Sequence, residues 1–392
     1  MRQMHPGTSA PRSGMDILLF DLDGVLLNSA GYHRSLVETV RQVSLALGFG
    51  DRVLTAEEIE AFEARDITAE WDSSAILTGL LLVEAWRTDP ELKLPRRPPL
   101  PLRAAGRTPF PEVHAFLAEM DRVPDAYPLA RAETLLMARL DGAPRRQRLT
   151  LQATLREARD LNKSLTFWLI QLFNLGGRRF EMIYAFPPGL ETESYLEMYD
   201  RPTLTPDERA GLMRWIDRSD RGAAIVTNRP SASPQGIFNS PEAEIGARAA
   251  GFDRLPIVAA GDLGWRAAAL GLDPQAFLKP SPVHALAGMY RAFGVEGESV
   301  GAAVRLAQLG DLDSVWHGLS KSRVFLFEDA PKGHRAARSA IRILGAHGVK
   351  VDLRLCGIAA GRERATALRS LGADVFPNVR TALDAAIPGW RS

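Results

Sequence analysis

Ile17-Leu18-Leu19-Phe20 is apolar on both faces of an extended chain and runs straight into Asp21-Leu22-Asp23-Gly24. A strand that shows apolar side chains both ways has to be covered on both sides, as inside a parallel sheet. Such sheets carry their ligand sites just beyond the carboxyl ends of the strands. Asp21 and Asp23, two residues apart on extended chain, point to the same side there. Gly24 lets the backbone turn sharply or approach a ligand closely. A carboxylate pair of this kind suits a nucleophile and a proton-transfer group, with a hard cation screening their charges. An acidic turn after a strand would read the same way at this level, so the rest of the chain decides.

Two further apolar runs end in polar groups. Ala223-Ala224-Ile225-Val226 leads into Thr227-Asn228, and Val324-Phe325-Leu326-Phe327 leads into Glu328-Asp329. Between them, Lys279 sits in Phe277-Leu278-Lys279-Pro280-Ser281-Pro282, and after Asp329 the chain continues Ala330-Pro331-Lys332-Gly333-His334. Singly, Thr227 reads as a helix cap, Lys279 as a solvated charge and Glu328-Asp329 as an acidic loop. In this order, together with Phe20-Asp21-Leu22-Asp23-Gly24-Val25, they resemble the four motifs of the haloacid dehalogenase (HAD) superfamily, most of whose members are phosphatases.

The resemblance implies roles. Asp21 would be the nucleophile that forms an aspartyl-phosphate, and Asp23 the acid that protonates the leaving oxygen and then the base that activates water. Thr227 and the Asn228 backbone N–H would bind phosphate, and Lys279 would offset the negative charge shared by Asp21 and the phosphoryl group. Mg2+ would be held by Asp21, Asp329 and the backbone carbonyl of Asp23, with Glu328 behind it or as an alternate ligand. Dehalogenating relatives typically lack the second aspartate, so Asp23 argues against that reaction. Asn28 and Ala330 stand where relatives often have aspartate and serine, neither of them a core catalytic position.

From about Gly222 onward, strand candidates (223–227, 256–259, 324–328, 351–358, 373–376) alternate with helices near 241–250, 283–293, 333–346, 362–371 and 379–386. This predicts an α/β fold, a doubly wound mostly parallel sheet with right-handed crossovers. Residues 15–29 supply its first strand and 206–390 the remainder. The intervening 30–205 read as mostly helical, over 32–48, 55–65, 69–87, 112–121, 129–140, 149–159, 164–175 and 190–199. A helical insertion after the first motif, opened by Asp23–Ser29 and Tyr32-His33, resembles the cap of the phosphoglycolate phosphatase and β-phosphoglucomutase branch, but is longer. His33, Arg34, Trp71-Asp72-Ser73 and Gly176-Gly177-Arg178-Arg179 are the substrate-contact candidates within it. Residues 90–111 hold seven prolines and five basic residues, which rules out one continuous helix there. That stretch reads as a solvated connector or a lid.

Forty-eight Lys and Arg against 47 Asp and Glu leave no charge argument for nucleic acid or a membrane surface. The clusters Arg96-Arg97 and Arg145-Arg146-Gln147-Arg148 read as solvated loop charge. The one cysteine, Cys356, allows no intrachain disulfide and fits a reducing cytoplasm. Residues 1–14 lack the apolar stretch of a secretory signal and read as a disordered tail. The most apolar segments fall short of the ~20 residues a bilayer needs. The expected activity is a Mg-dependent phosphatase acting on a small phosphorylated metabolite. The alternatives are a phosphomutase, or a non-catalytic binding protein on the same scaffold.

Overall fold

The computed structural model describes residues 14–391 except 66, 105, 107–108, 124–126, 233–239 and 295–296. The expected tail, Gly14 apart, lies outside the described residues. The described chain divides at Ser29/Ala30 and at Tyr199/Asp200 into two compact units.

The first unit is built on six parallel strands: β1 (Asp16–Phe20), β4 (Arg221–Val226), β5 (Ile257–Val258), β6 (Arg323–Glu328), β7 (Asp352–Ile358) and β8 (Asp374–Phe376). Their order across the sheet is β5-β4-β1-β6-β7-β8. The expected doubly wound α/β sheet is therefore present, and β1 lies at its centre between β4 and β6. Register sets Phe20 beside Ile225 on one side and Phe327 on the other, so the three strands end level. A separate two-stranded ribbon pairs β2 (Leu27–Asn28) antiparallel with β3 (Arg201–Pro202).

Alternation explains the continuous apolar runs. Ile17 and Leu19 face one cluster with Ala224, Val226, Leu326, Leu286 and Trp316. Leu18 and Phe20 face another with Ile225, Phe327, Leu212 and Leu383. Helices cover both faces, so a strand residue has no solvent side to keep polar. Helices Glu242–Ala250, Pro282–Ala292, Pro331–Ala346, Arg362–Ser370 and Val379–Ala386 fall where the alternation put them. Four more were not anticipated: Pro206–Ile216, Ala260–Ala269, Ser299–Leu309 and Ser314–Gly318. The first had a readable start, since Thr205 caps the Glu208 N–H and the Glu208 side chain caps back. Ala260–Ala269 and Ser299–Leu309 are rich in alanine and glycine, with few bulky apolar side chains to mark a buried face.

The second unit, Ala30–Tyr199, is helical throughout its regular structure. Ala30–Leu47, Glu70–Thr88 and Leu165–Leu175 form its centre, with Val40, Leu77, Leu81 and Leu169 fully or almost fully buried. Three expectations need correction. The helix expected at 149–159 runs Arg145–Arg156, with Pro144 as the residue just before it. The cluster Arg145-Arg146-Gln147-Arg148 is thus its first turn, and Arg146 and Gln147 both donate to the Pro90 carbonyl, at 3.0 and 2.9 Å. The helix expected at 190–199 is only Tyr195–Tyr199, while Gly177–Tyr184 is a helix that was not anticipated.

The proline-rich stretch is not simply solvated. Leu92 is buried and its carbonyl accepts from Trp86 Nε1 at 3.1 Å, while Leu94, Leu100 and Phe110 pack on the helical core. The Arg97 guanidinium lies 4.7 Å from the Trp168 ring centre and 4.5 Å from that of Phe186, a cation held between aromatic faces. Among the described residues no helix is long and apolar enough to cross a membrane.

Phe20 and Phe327 stack across β1 and β6 with ring centres 4.9 Å apart, both fully buried. Phe327→Ala is expected to destabilise the sheet unit by about 3–5 kcal/mol. Urea unfolding followed by circular dichroism measures it, and an unchanged midpoint would contradict this packing.

Candidate active site

The level ends of β1, β4 and β6 bring the motif residues together. Asp21 follows β1, and its N–H donates to the Phe327 carbonyl at 2.9 Å, which ties it to β6. The chain then turns back through Leu22–Leu27, where the Gly24 N–H donates to Leu27 O at 2.9 Å. Gly24 has φ +71°, a conformation that costs a side-chain-bearing residue dearly. A Cβ there would also overlap the Asp329 carboxylate. The glycine is needed for the turn and for the acid group of the neighbouring strand.

Lys279 is the electrostatic centre. Its ammonium lies 2.8 Å from Asp21 Oδ1 and 2.6 Å from Glu328 Oε2, and all three side chains are buried. Glu328 also accepts the Ala330 N–H on Oε1 at 3.2 Å. Burial alone would strip the Lys279 proton, but Asp21 and Glu328 outweigh it and hold the ammonium charged. Burial and the Glu328 charge push the Asp21 carboxyl up, against the pull of Lys279. Glu328 is likewise raised by burial. Asp329 is raised by burial and by Asp21, with Arg364 opposing. Arg364 Nη1 donates to Asp329 Oδ2 at 2.9 Å.

Asp21, Glu328 and Asp329 each place a carboxylate oxygen within 4.8 Å of the others. Three crowded carboxylates face Lys279 and, at Asp329, Arg364, which leaves an excess of negative charge in a poorly solvated place. Hard oxygen donors with that charge fit a hard divalent cation such as magnesium.

Thr227 directly follows β4, almost fully buried, and its Oγ1 accepts the Arg229 backbone N–H at 3.1 Å. Asn228 Oδ1 accepts the Lys279 N–H at 3.2 Å, joining the second motif to the third. Asp23 stands apart from the carboxylate trio. Its side chain is 36% exposed and meets Arg229, with Nε 3.0 Å from both carboxylate oxygens and Nη2 2.5 Å from Oδ1. The Ser29 hydroxyl donates to the same Oδ1. Burial works to raise the Asp23 carboxyl, but Arg229 and Ser29 outweigh it and hold it below the usual range.

Several of the candidates in the helical unit have a partner within that unit. His33 Nε2 is 2.9 Å from Glu63 Oε1 and Arg179 Nη2 is 2.8 Å from Glu197 Oε1. Arg34, exposed, lies 5.4 Å from the Tyr199 ring centre. Arg178 is exposed on the helix that Gly177 opens. Asp72 pairs with Arg159 at 2.7 Å, and Trp71 meets Phe167 edge-on. Sequence reasoning missed Arg229, Asp200 and Arg364. Only Arg229 had a signal, as a cation directly after Thr227-Asn228.

No family model and no curated protein matches the chain. Its fold is similar to an X-ray structure from the Northeast Structural Genomics Consortium, with TM-score 0.62 and 17% identity over 96% of this chain and 100% of that one. Weaker likenesses are to phosphatase Tt82 from Thermococcus thioreducens (TM-score 0.39, 14% identity, 91% of this chain and 100% of that one) and to a hydrolase from Pseudomonas syringae (0.32, 14%, 95% and 97%). At those scores the last two add no weight. At 17% identity the first likeness shows the fold alone, a sheet unit and a helical unit in one chain.

His284, five residues beyond Lys279, is fully buried, with Nε2 3.1 Å from the Val258 carbonyl. Burial first, then Lys279, pushes its imidazole down to about 3. A depressed histidine leaves stability complete above the unfolded value of about 6.5 and drains it as pH falls toward the folded one. His284 should therefore cost about 2 kcal/mol between pH 6.5 and 5. His284→Gln is expected to flatten that part of the stability profile. Equal acid slopes for the two proteins would contradict a neutral buried imidazole.

Proposed function

We propose that the chain is a magnesium-dependent phosphatase that hydrolyses a small phosphorylated metabolite through an aspartyl-phosphate on Asp21. The observation that carries this reading is the Asp21–Lys279 pair, a buried carboxylate 2.8 Å from a buried ammonium at a sheet's carboxyl edge. A phosphate monoester repels an attacking carboxylate, and a fixed cation beside the attacking oxygen offsets that repulsion where water screens poorly.

In this scheme an Asp21 oxygen bonds to phosphorus while the bond from phosphorus to the leaving oxygen breaks, the electron pair departing with that oxygen. Thr227 Oγ1 already accepts one N–H, so its own proton is available to a phosphoryl oxygen, with the Asn228 N–H as a second donor. Asp23 gives a proton to the leaving oxygen, then takes one from the water that attacks the acyl-phosphate. Paired with Arg229, it is held in the ionised form that suits the second task. Taking up a proton for the first task weakens that pairing. Magnesium, when bound by Asp21, Asp329 and the backbone carbonyl of Asp23, supplies positive charge against the phosphoryl oxygens. Glu328, committed to Lys279 and Ala330, is an alternate ligand.

Arg34, Arg178, Arg179 and His33 are proposed contacts for the substrate's anionic part; Arg179 and His33 already face carboxylates. The single cysteine fits a cytoplasmic setting.

Phosphate release from a panel of phosphorylated metabolites, with magnesium, tests the proposal. Asp21→Asn is expected to reduce release to background with the fold intact, because Glu328 still pairs the Lys279 ammonium. A chelator should abolish wild-type release and added magnesium restore it. Turnover retained by Asp21→Asn would remove Asp21 as nucleophile, and turnover unaffected by chelation would remove the metal.

A further inference from the structure

Arg229 has so far served only to hold Asp23 ionised, yet its side chain is engaged on several sides beside the site. Only 2% of it is exposed, and its guanidinium spans two carboxylates, Asp23 and Asp200. Nη2 donates to Asp200 Oδ2 at 2.9 Å, and Asp200 is fully buried at its side chain. Nη1 reaches the Glu242 carbonyl at 3.4 Å. On that helix, a Cβ at Gly246 would come within 2.7 Å of Nη1, so the absence of a side chain there makes room for the guanidinium. The Arg229 backbone N–H, in turn, orients the Thr227 hydroxyl at 3.1 Å.

A buried arginine shared by two aspartates is weak evidence of added stability, because desolvating the charges offsets much of their attraction. Its geometric value is greater. A planar fork meets one carboxylate along one edge and keeps a donor for a second, which an ammonium on a flexible stem does not do. With Asp200 as a permanent counter-charge, Arg229 stays paired whichever way the Asp23 side chain turns. Ser29 holds Asp23 from the other side. Ser29 and Asp200 are also the two residues of the sheet unit that flank the helical segment.

We propose that Arg229 is a positioning residue that sets the Asp23 carboxylate where it meets the leaving oxygen, with Asp200 as its anchor. The proposal rests on the phosphatase reading. It predicts that loss of Arg229 harms substrates in proportion to their need for a proton on the leaving group.

The experiment compares kcat/KM for p-nitrophenyl phosphate, whose leaving group departs readily, with phenyl phosphate, whose leaving group needs more help, both with magnesium. In Arg229→Lys the ratio of the first to the second is expected to rise about tenfold or more. Should Arg229→Lys fail to fold, the double variant Arg229→Met with Asp200→Asn leaves no unpaired Asp200 charge and carries the same expectation. Equal losses on both esters, or no loss, overturn the proposal. Asp23→Asn should raise the same ratio, and adding Arg229→Lys to it should raise it no further; an additional rise overturns action through Asp23. If wild type releases phosphate from neither ester, the phosphatase reading falls instead. Crystal structures of wild type and Arg229→Lys then decide the positioning: an Asp23 carboxylate displaced in the variant supports it, and an unmoved one overturns it.

Discussion

The sheet unit is organised around one ammonium group shared by two buried carboxylates. Lys279 lies on the connection after β5, Asp21 at the end of β1 and Glu328 at the end of β6, so a single cation ties three separate stretches of chain at the same edge. Removing three charges from water costs several kcal/mol per ion, and their mutual attraction returns only part of it. An apolar trio of similar size would hold the strands at least as well. The arrangement therefore makes sense as chemistry, a nucleophile kept beside a cation in a place where water cannot dilute the field. The negative charge that Lys279 and Arg364 leave on Asp21, Glu328 and Asp329 is what a hard cation would balance.

Much of this edge was legible because parallel strands buried on both faces leave an unmistakable trace. Runs such as 17–20, 223–226 and 324–327 have no polar alternation, and the first polar residue after each marks where the strand leaves the core. Asp21, Thr227, Glu328 and Asp329 could be read that way, and Lys279 by its proline-flanked setting. Arg229 and Asp200 could not. Their pairing joins residues 29 positions apart through side chains alone, with no period or strand boundary to announce it. Arg364 is hidden for the same reason, as one arginine among several on Arg362–Ser370.

The helical unit shows the complementary difficulty. Its long helices declare themselves by apolar spacing, whereas Gly177–Tyr184 starts from a glycine at φ +78° and carries only a single buried bulky residue, Phe180. By composition the proline-rich stretch reads as a solvated connector or a lid, yet its contacts come from the few apolar and aromatic-facing residues between the prolines. Composition reports what a segment cannot be. Which neighbours it finds depends on the fold.

The small ribbon of β2 and β3 has a consequence for how such a chain varies. Pairing Leu27 with Pro202 and Asn28 with Arg201 brings the exit and the return of the chain side by side. To the sheet, everything between them is a loop whose ends are already closed, and doubling the length of a flexible loop costs only about 0.6 kcal/mol in closure entropy. The segment from 30 to 199 is therefore open to growth, shrinkage or replacement over evolutionary time, while the chemistry of the strand ends stays under separate selection.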